Sequence, residues 1–319
     1  MRKKMINLEI KDYVIRFIES NIEENNIERI GEHFIPPGII SGGVIEDREK
    51  LQRILETCMK KWRLKRKKVR LLMPDSLVFI RREMVPLDVA KDEVKKHIDF
   101  HIGETIHLPF EQSVAETVYI RERDRGHEVS IISTDKDIAN QYTHILESLS
   151  LKVEAIDISP LSYYRVLYEK DRARAEDHLL LIQYHVDRAI FSAFIEHTPI
   201  FLQEFDLESN EIIKHHLGAT LSKEDFNEEA VMNELDEMNI EVERVERFYQ
   251  FMINNHEQKF TKIAVVGDHP YVEEIVRKMK ELYETPIINL QEDSIAGPKG
   301  MALESKFHNV YGLALKGGR

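Results

Sequence analysis

The stretch INLEIKDYVIRF, residues 6–17, decides the fold of this chain. Apolar residues alternate with polar ones at Ile6, Leu8 and Ile10, and apolar character resumes at Val14 after a charged break. Such alternation is typical of a half-buried strand, and a short polar break between two such runs is typical of a tight turn. The stretch therefore predicts two short strands that meet at a turn.

The same order of predicted elements occurs twice along the chain. Each half opens with three strands at hairpin spacing, continues with helical spacing, and then adds an apolar strand. In the first half these elements lie at residues 5–20, 26–35, 49–63 and 69–73, and in the second half they lie at 179–183, 189–195, 200–205, 209–217, 229–254 and 262–266. This repetition indicates a duplicated α/β domain.

The first half carries an insertion. Residues 78–155 predict a strand, a helix, a hairpin, a second helix and a returning strand, for which the second half has no counterpart. We therefore expect a first lobe at 1–77 plus 156–175, an inserted α+β subdomain at 78–155, and a second lobe at 176–319. The last predicted helix, at 306–315, is a candidate for packing back on the first lobe.

Composition restricts the function classes. Hydrophobic residues make up 42% of the 319 residues and charged residues 32%, which fits a globular protein with a well-buried core. The formal net charge of -12 disfavours nucleic acid as a partner. A single cysteine excludes a disulfide framework, and no apolar run reaches the ~20 residues of a membrane span. These features predict a cytoplasmic protein.

Further segments carry a family resemblance through their order and spacing. They are IPPG at 35–38 with GVIED at 43–47, VRLLMP at 69–74 with VFIRR at 78–82 and VP at 85–86, HLPF at 107–110, EVERVERFY at 241–249, and VYGLALK at 310–316. Together they resemble the PilM family, the actin-like proteins of type IV pilus assembly. The resemblance covers most of the chain.

The resemblance implies both a fold and a partner. The implied fold is actin-like, or FtsA-like, with two ribonuclease-H-like lobes and an inserted subdomain in the first. The implied partner is the N-terminal cytoplasmic tail of a PilN-like bitopic inner-membrane protein, held in a groove between the first lobe and the insertion. Other pilus assembly components, such as the assembly ATPase or the platform protein, are implied as further partners. The chain is then expected at the inner face of the cell membrane, attached through its partner.

The phosphate-binding loops depart from the actin-like pattern. The resemblance places Glu9, Asp12 and Arg16 at the acid, serine and lysine positions of the first loop, with a lysine instead of its glycine. The second loop, QYHVD at 183–187, lacks the expected acid and glycine, and the third keeps only Gly267. Side chains at these positions obstruct the backbone amides that a phosphate needs. We therefore expect vestigial nucleotide positions, no catalytic residue, no metal and no cofactor, with ATP and Mg²⁺ disfavoured.

Two alternative functions stay open. The first is an actin-like ATP-binding protein or ATPase that uses nucleotide to switch pilus assembly. The second, which is less favoured, is an FtsA-type division protein. That family ends in a membrane-binding amphipathic helix, whereas this sequence ends with LKGGR at 315–319.

Two surfaces are candidate contact sites. The strand at 78–85 is expected to form the wall of the partner groove, with Val78, Ile80, Arg81, Arg82 and Val85 as contact residues. The run KKWRLKRKKVR at 60–70 is unusual in an acidic chain. It predicts either a solvated helix end, favoured by the helix dipole, or a surface for anionic lipid or an acidic partner. Its basic residues are Lys60, Lys61, Arg63, Lys65, Arg66, Lys67, Lys68 and Arg70.

Overall fold

The computed structural model describes residues 4–21, 26–207, 221–253 and 258–317, so the predicted helix at 209–217 lies outside the described residues. The elements of the first part are β1 (Lys4–Ile10), β2 (Val14–Asn21), β3 (Asn26–Phe34), β4 (Ile40–Ser41), β5 (Val44–Ile45), α1 (Arg48–Trp62), β6 (Lys68–Met73), β7 (Val78–Val85), α2 (Val94–His101), β8 (Ser113–Arg123), β9 (Gly126–Asp135), α3 (Lys136–Ser148), β10 (Lys152–Ile158) and α4 (Ser159–Glu169). Those of the second part are β11 (Leu179–Tyr184), β12 (Arg188–Ile195), β13 (Thr198–Asp206), α5 (Glu228–Phe248), β14 (Lys262–Val266), α6 (Val272–Leu282), β15 (Ile287–Asn289) and α7 (His308–Ala314).

The opening stretch forms the predicted hairpin. Strands β1 and β2 pair antiparallel, with Glu9 opposite Arg16, and the amide of Lys11 donates to the carbonyl of Val14 at 2.9 Å to close the turn. Leu8 and Val14 are fully buried. The strands are as predicted, but both faces of the hairpin are buried, because the polar side chains of Asn7, Glu9 and Arg16 are also at most 3% exposed.

Two sheets of the same topology confirm the duplication. The first has the strand order β10-β6-β1-β2-β3 and the second β15-β14-β11-β12-β13. In each, a three-stranded antiparallel meander is followed by two parallel strands. The chain is therefore an α/β protein with two ribonuclease-H-like lobes in an actin-like arrangement. A shared core between the sheets joins them, formed by α4 and α7 with both sets of strands.

The insertion is smaller than the predicted 78–155. Its sheet has the order β7-β9-β8, and its own core includes Val85, Ile98 and Val129. In contrast, α3 packs in the first-lobe core through Tyr142, and β10 pairs parallel with β6 in the first sheet. The structure thus places the boundary near residue 135. Sequence alone missed this because strand pairing between β6 and β10 spans the whole insertion.

The last helix lies against the first lobe. A Cβ at Gly312 of α7 would come within 1.9 Å of the Ser162 carbonyl oxygen in α4, so only glycine permits this helix contact. Arg70 of β6 donates to the carbonyls of Leu313 and Ala314, both at 3.2 Å. None of the helices in the described ranges combines the length and apolarity that a bilayer crossing needs.

Candidate functional site

The residues predicted to be vestigial nucleotide positions lie at a cleft between the lobes. Strands β1 and β6 are parallel, as are β11 and β14, so their carboxyl ends lie at one edge of each sheet. The residues that follow these ends come together across the cleft. Lys11 and Asp12 follow β1, His185 follows β11, and Asp268 follows β14. The cleft is therefore lined by charged side chains of this chain.

Asp268 is the centre of the contacts across the cleft. Its carboxylate accepts hydrogen bonds from Tyr13 Oη at 2.7 Å and from Arg16 Nη1 of the first lobe, and its Oδ1 lies 2.7 Å from His185 Nδ1. Lys11 Nζ lies 3.5 Å from the same oxygen. Burial opposes its charge, but the adjacent Lys11, Arg16 and His185 hold the pKa of Asp268 well below its usual range. The carboxylate is therefore ionised and joins the lobes.

Glu9 and Arg16 also contact other side chains of the chain, although Glu9 Oε2 has no hydrogen-bond partner among the described residues. Both are 3% exposed. Asn309 Nδ2 donates to Glu9 at 2.5 Å, and Arg16 Nε donates to Glu32 at 2.7 Å. Arg16 thus contacts two carboxylates of its own chain, Glu32 and Asp268.

Asp12 accepts hydrogen bonds from backbone amides of its own chain. Its two carboxylate oxygens accept from the amides of Gly42 and Gly43 at 2.6 and 2.9 Å, and Arg188 Nη2 donates to it at 3.2 Å. Burial, reinforced by the charge of Asp187, raises the pKa of Asp12 above its ordinary value, while Arg188 and the two amides oppose the shift. The glycine pair therefore cradles a carboxylate from its own chain.

Gly267 has a packing role. Its φ is +139°, and a Cβ there would approach the carbonyl oxygen of Tyr184 to 1.9 Å. The glycine lets the end of β14 pass over the end of β11. Its presence is explained without a phosphate.

An inner and an outer cavity lie beside these groups. The inner cavity measures ≈ 30 Å³, which is room for a water molecule, and four acidic residues line it together with the basic Lys11 and Arg188. The acidic residues are Glu9, Asp12, Asp75 and Asp187. The outer cavity measures ≈ 390 Å³ and is also acidic, because Asp12, Asp187, Glu204 and Asp206 line it against Arg188. Burial raises the pKa of Asp75 to about 6. The lining thus repels additional negative charge.

The predicted groove wall is mostly engaged inside the protein. Val78, Ile80 and Val85 are buried, at 6%, 5% and 1% exposure, and pack in cores. Arg82 donates at 2.6 Å to Glu128, which is fully buried. Arg81 donates to the carbonyl of His107 at 3.0 Å and also bonds Glu83. These five residues do not form an open groove, because β7 lies between β9 and the second-lobe strand β13.

An open groove lies instead on the other side of the insertion, between β8 and β10. Each is the last strand of its sheet in the described part of the chain. The groove encloses ≈ 590 Å³ and is largely apolar, with Val114 52% and Ile156 36% exposed. Consecutive residues of both strands line it, so backbone edges as well as side chains face the space. Its lining includes Val114, Ala115, Glu116, Ile156, Asp157 and Ile158.

The groove was not identified by residue from the sequence. Its location, between the first lobe and the insertion, agrees with what the family resemblance implies. The available signal was an exposed apolar residue on each strand, Val114 and Ile156, within otherwise alternating patterns. That signal becomes informative only when both strands are known to be at sheet edges.

The basic run divides into two groups. Lys67 pairs with Glu19 and Lys68 with Glu154, both at 3.1 Å, while Arg70 bonds backbone carbonyls of the last helix. The other five basic side chains are exposed, and the described residues include no acidic partner for them. They are Lys60, Lys61, Arg63, Lys65 and Arg66.

Comparison with known proteins supports the fold. No protein-family model matches the sequence, and no curated protein matches it. Among solved structures, the chain is similar to one titled "PilM-PilN type IV pilus biogenesis complex", with a TM-score of 0.74, 13% identity and 100% coverage of both chains. It is also similar to the ethanolamine utilization protein EutJ from Carboxydothermus hydrogenoformans, with a TM-score of 0.54, 11% identity, and coverage of 99% of this chain and 90% of that one. At these identities the likeness establishes a shared fold, which confirms the PilM-like, actin-like architecture.

Proposed function

We propose that this protein is a scaffold of type IV pilus assembly that binds the N-terminal cytoplasmic tail of a PilN-like inner-membrane protein. The observation that carries the proposal is the apolar groove between two sheet edges, in a chain with the fold of a protein solved together with PilN. A groove of this kind suits an extended peptide better than a compact ligand.

The groove offers both affinity and selectivity for such a tail. A tail that adds as a strand to the edge of β8 or β10 gains main-chain hydrogen bonds, and every second side chain of the tail points into the groove. Val114, Ile156 and Leu161 supply apolar contacts there. We infer that an apolar, extended tail segment fits best.

The proposed scaffold works without ATP hydrolysis. The contacts of Asp268 with Tyr13, Arg16 and His185 join the lobes by the protein's own side chains, so no nucleotide is needed to close the cleft. The acidic lining of the cleft also opposes the negative charge of a nucleotide triphosphate. We assign the protein to the cytoplasm, at the inner face of the cell membrane through its partner. From there it contacts other assembly components, such as the assembly ATPase or the platform protein.

Fluorescence anisotropy with a labelled synthetic tail peptide tests the groove. The peptide carries the N-terminal cytoplasmic residues of a PilN-like bitopic membrane protein from the same organism. Ile156→Asp and Val114→Asp place a charge on the groove floor, and each is expected to weaken binding at least about tenfold, from a loss of roughly 1.5–3 kcal/mol of apolar contact.

The matched control is Leu282→Asp, because Leu282 is 60% exposed on α6 of the second lobe. It is expected to leave the affinity unchanged. Wild-type binding that neither groove variant weakens would refute the groove assignment, and no binding by the wild type would refute the proposed partner.

A further inference from the structure

The five basic residues without an acidic partner in the described part of the chain lie on the last turn of α1 and the turn that follows it, which we together call the basic turn (residues 60–66). Trp62 ends α1 and packs on Phe17, with ring centroids 4.7 Å apart, and Arg29 donates to the Trp62 carbonyl at 2.6 Å. Leu64 is fully buried and anchors the middle of the turn. The exposed basic side chains therefore project from a fixed backbone.

The basic turn lies at one end of the groove strand β10. The amide of Arg66 donates to the carbonyl of Ser150 at 3.1 Å, and the amide of Lys152 donates to the carbonyl of Lys67 at 2.9 Å. Strand β10 starts there and runs away from the turn to Ile158, which lines the groove. At ~3.3 Å per residue, the turn and the groove floor at Ile156 are separated by roughly 15 Å along the strand.

The charge at this end contrasts with the rest of the molecule. The chain has a net charge of -12, yet the basic turn presents five cationic side chains with no acidic partner among the described residues. Local clusters of this kind bind anionic lipid surfaces even when the whole protein is acidic, because only charges within a Debye length of the surface contribute. The end of the groove is thus electrostatically suited to a membrane.

We propose that the basic turn contacts the anionic surface of the membrane, and that the partner's tail lies antiparallel to β10. This inference rests on the proposed function, since the tail must belong to a membrane-anchored protein. A tail whose carboxyl end continues into the bilayer has to leave the groove on the membrane side. Because β10 starts at that side, the tail runs from Ile158 towards Lys152, opposite in direction to the strand.

Vesicle co-sedimentation of the full chain tests the membrane contact. Phosphatidylcholine vesicles with and without phosphatidylglycerol are compared for the wild type and two charge-reversed variants. Lys61→Glu with Lys65→Glu alters the basic turn, and Arg277→Glu with Lys278→Glu makes the same charge change at exposed positions on α6. The turn variant is expected to lose at least about 25-fold in partitioning, at about fivefold for each charge removed, and the control variant far less.

Equal losses in both variants, or no preference of the wild type for phosphatidylglycerol, would overturn the membrane contact. Urea midpoints of both variants establish that they are folded. The tail direction is read from a peptide with a photo-crosslinking residue at either end, followed by mass spectrometry. A carboxyl-terminal probe is expected to label residues 150–152 and an amino-terminal probe residues 158–161, whereas the reverse pattern would overturn the antiparallel direction. A peptide that does not bind refutes the proposed function and leaves the vesicle result standing.

Discussion

Replacing Asp268 with asparagine should strongly destabilise the protein. The carboxylate is 1% exposed and accepts hydrogen bonds from Tyr13 and Arg16 across the cleft, beside His185 and Lys11. Asp268→Asn removes the charge, leaves buried cations less compensated, and points an amide N–H₂ at other donors. Breaking a buried ion pair by removing one partner costs about 3–5 kcal/mol. Since Arg16 keeps Glu32 at 2.7 Å, we expect the lower part of that range.

Urea unfolding followed by circular dichroism measures this loss. The control is Asp236→Asn, because Asp236 is exposed on α5 and the same substitution there should change the unfolding free energy by less than about 0.5 kcal/mol. If Asp268→Asn destabilises the protein no more than the control does, then the carboxylate is not a bond between the lobes.

The difference in unfolding free energy between the wild type and Asp268→Asn should depend on pH in one direction. The pKa of Asp268 is held below its ordinary value in the folded protein, so the folded state favours the ionised form. The contribution to stability is therefore complete above the unfolded pKa of about 3.9 and is lost as the pH falls towards the folded pKa. The gap between wild type and Asp268→Asn should be constant from about pH 8 to pH 5 and should narrow below about pH 4. A gap that widens on acidification would contradict this assignment.

Three further predictions concern buried positions. Gly267→Ala should destabilise the protein by more than about 2 kcal/mol in urea unfolding, because its Cβ would meet the Tyr184 carbonyl at 1.9 Å; a loss within 0.5 kcal/mol would mean that the loop moves freely. Gly312→Ala should destabilise the protein by a similar amount, because its Cβ would lie 1.9 Å from the Ser162 carbonyl oxygen. Thermal unfolding followed by circular dichroism should then lose its cooperative transition. His269 has a pKa lowered by burial to about 3, so acid protonates it only in the unfolded chain and stability should fall between about pH 6.5 and pH 4. Between pH 7.5 and pH 5, His269→Gln should lose about 2 kcal/mol less unfolding free energy than the wild type does. If both proteins lose the same amount, His269 is not the group responsible.

The fold was largely predictable because its signals are local. Alternation in residues 6–17 predicts strands, which the structure contains, and the second meander repeats the strand signal at 179–205. The boundary of the insertion was missed because the pairing of β10 with β6 joins residues more than 80 positions apart. No periodicity within either strand records such a pairing.

The site was predictable in position but not in its contacts. The sequence placed Arg16 and Gly267 in loops that the resemblance assigns to nucleotide binding, and in the structure these loops meet at the cleft between the lobes. The partner of Arg16 is Asp268, 252 residues away, and sequence spacing cannot identify that contact. The wall at Val78 to Val85 was a correctly predicted strand, but its outer side lies beside β13 of the second lobe. Because β13 covers that side of β7, a peptide cannot dock there.

Isothermal titration of the tail peptide, with and without saturating Mg-ATP, tests the central claim most directly. The claim is that the protein binds a membrane partner's tail in the groove between β8 and β10 while its own side chains close the inter-lobe cleft. We predict that the peptide binds with the same affinity under both conditions and that Mg-ATP alone gives no binding heat. Micromolar Mg-ATP binding, or a tail affinity that changes with nucleotide, would contradict the account.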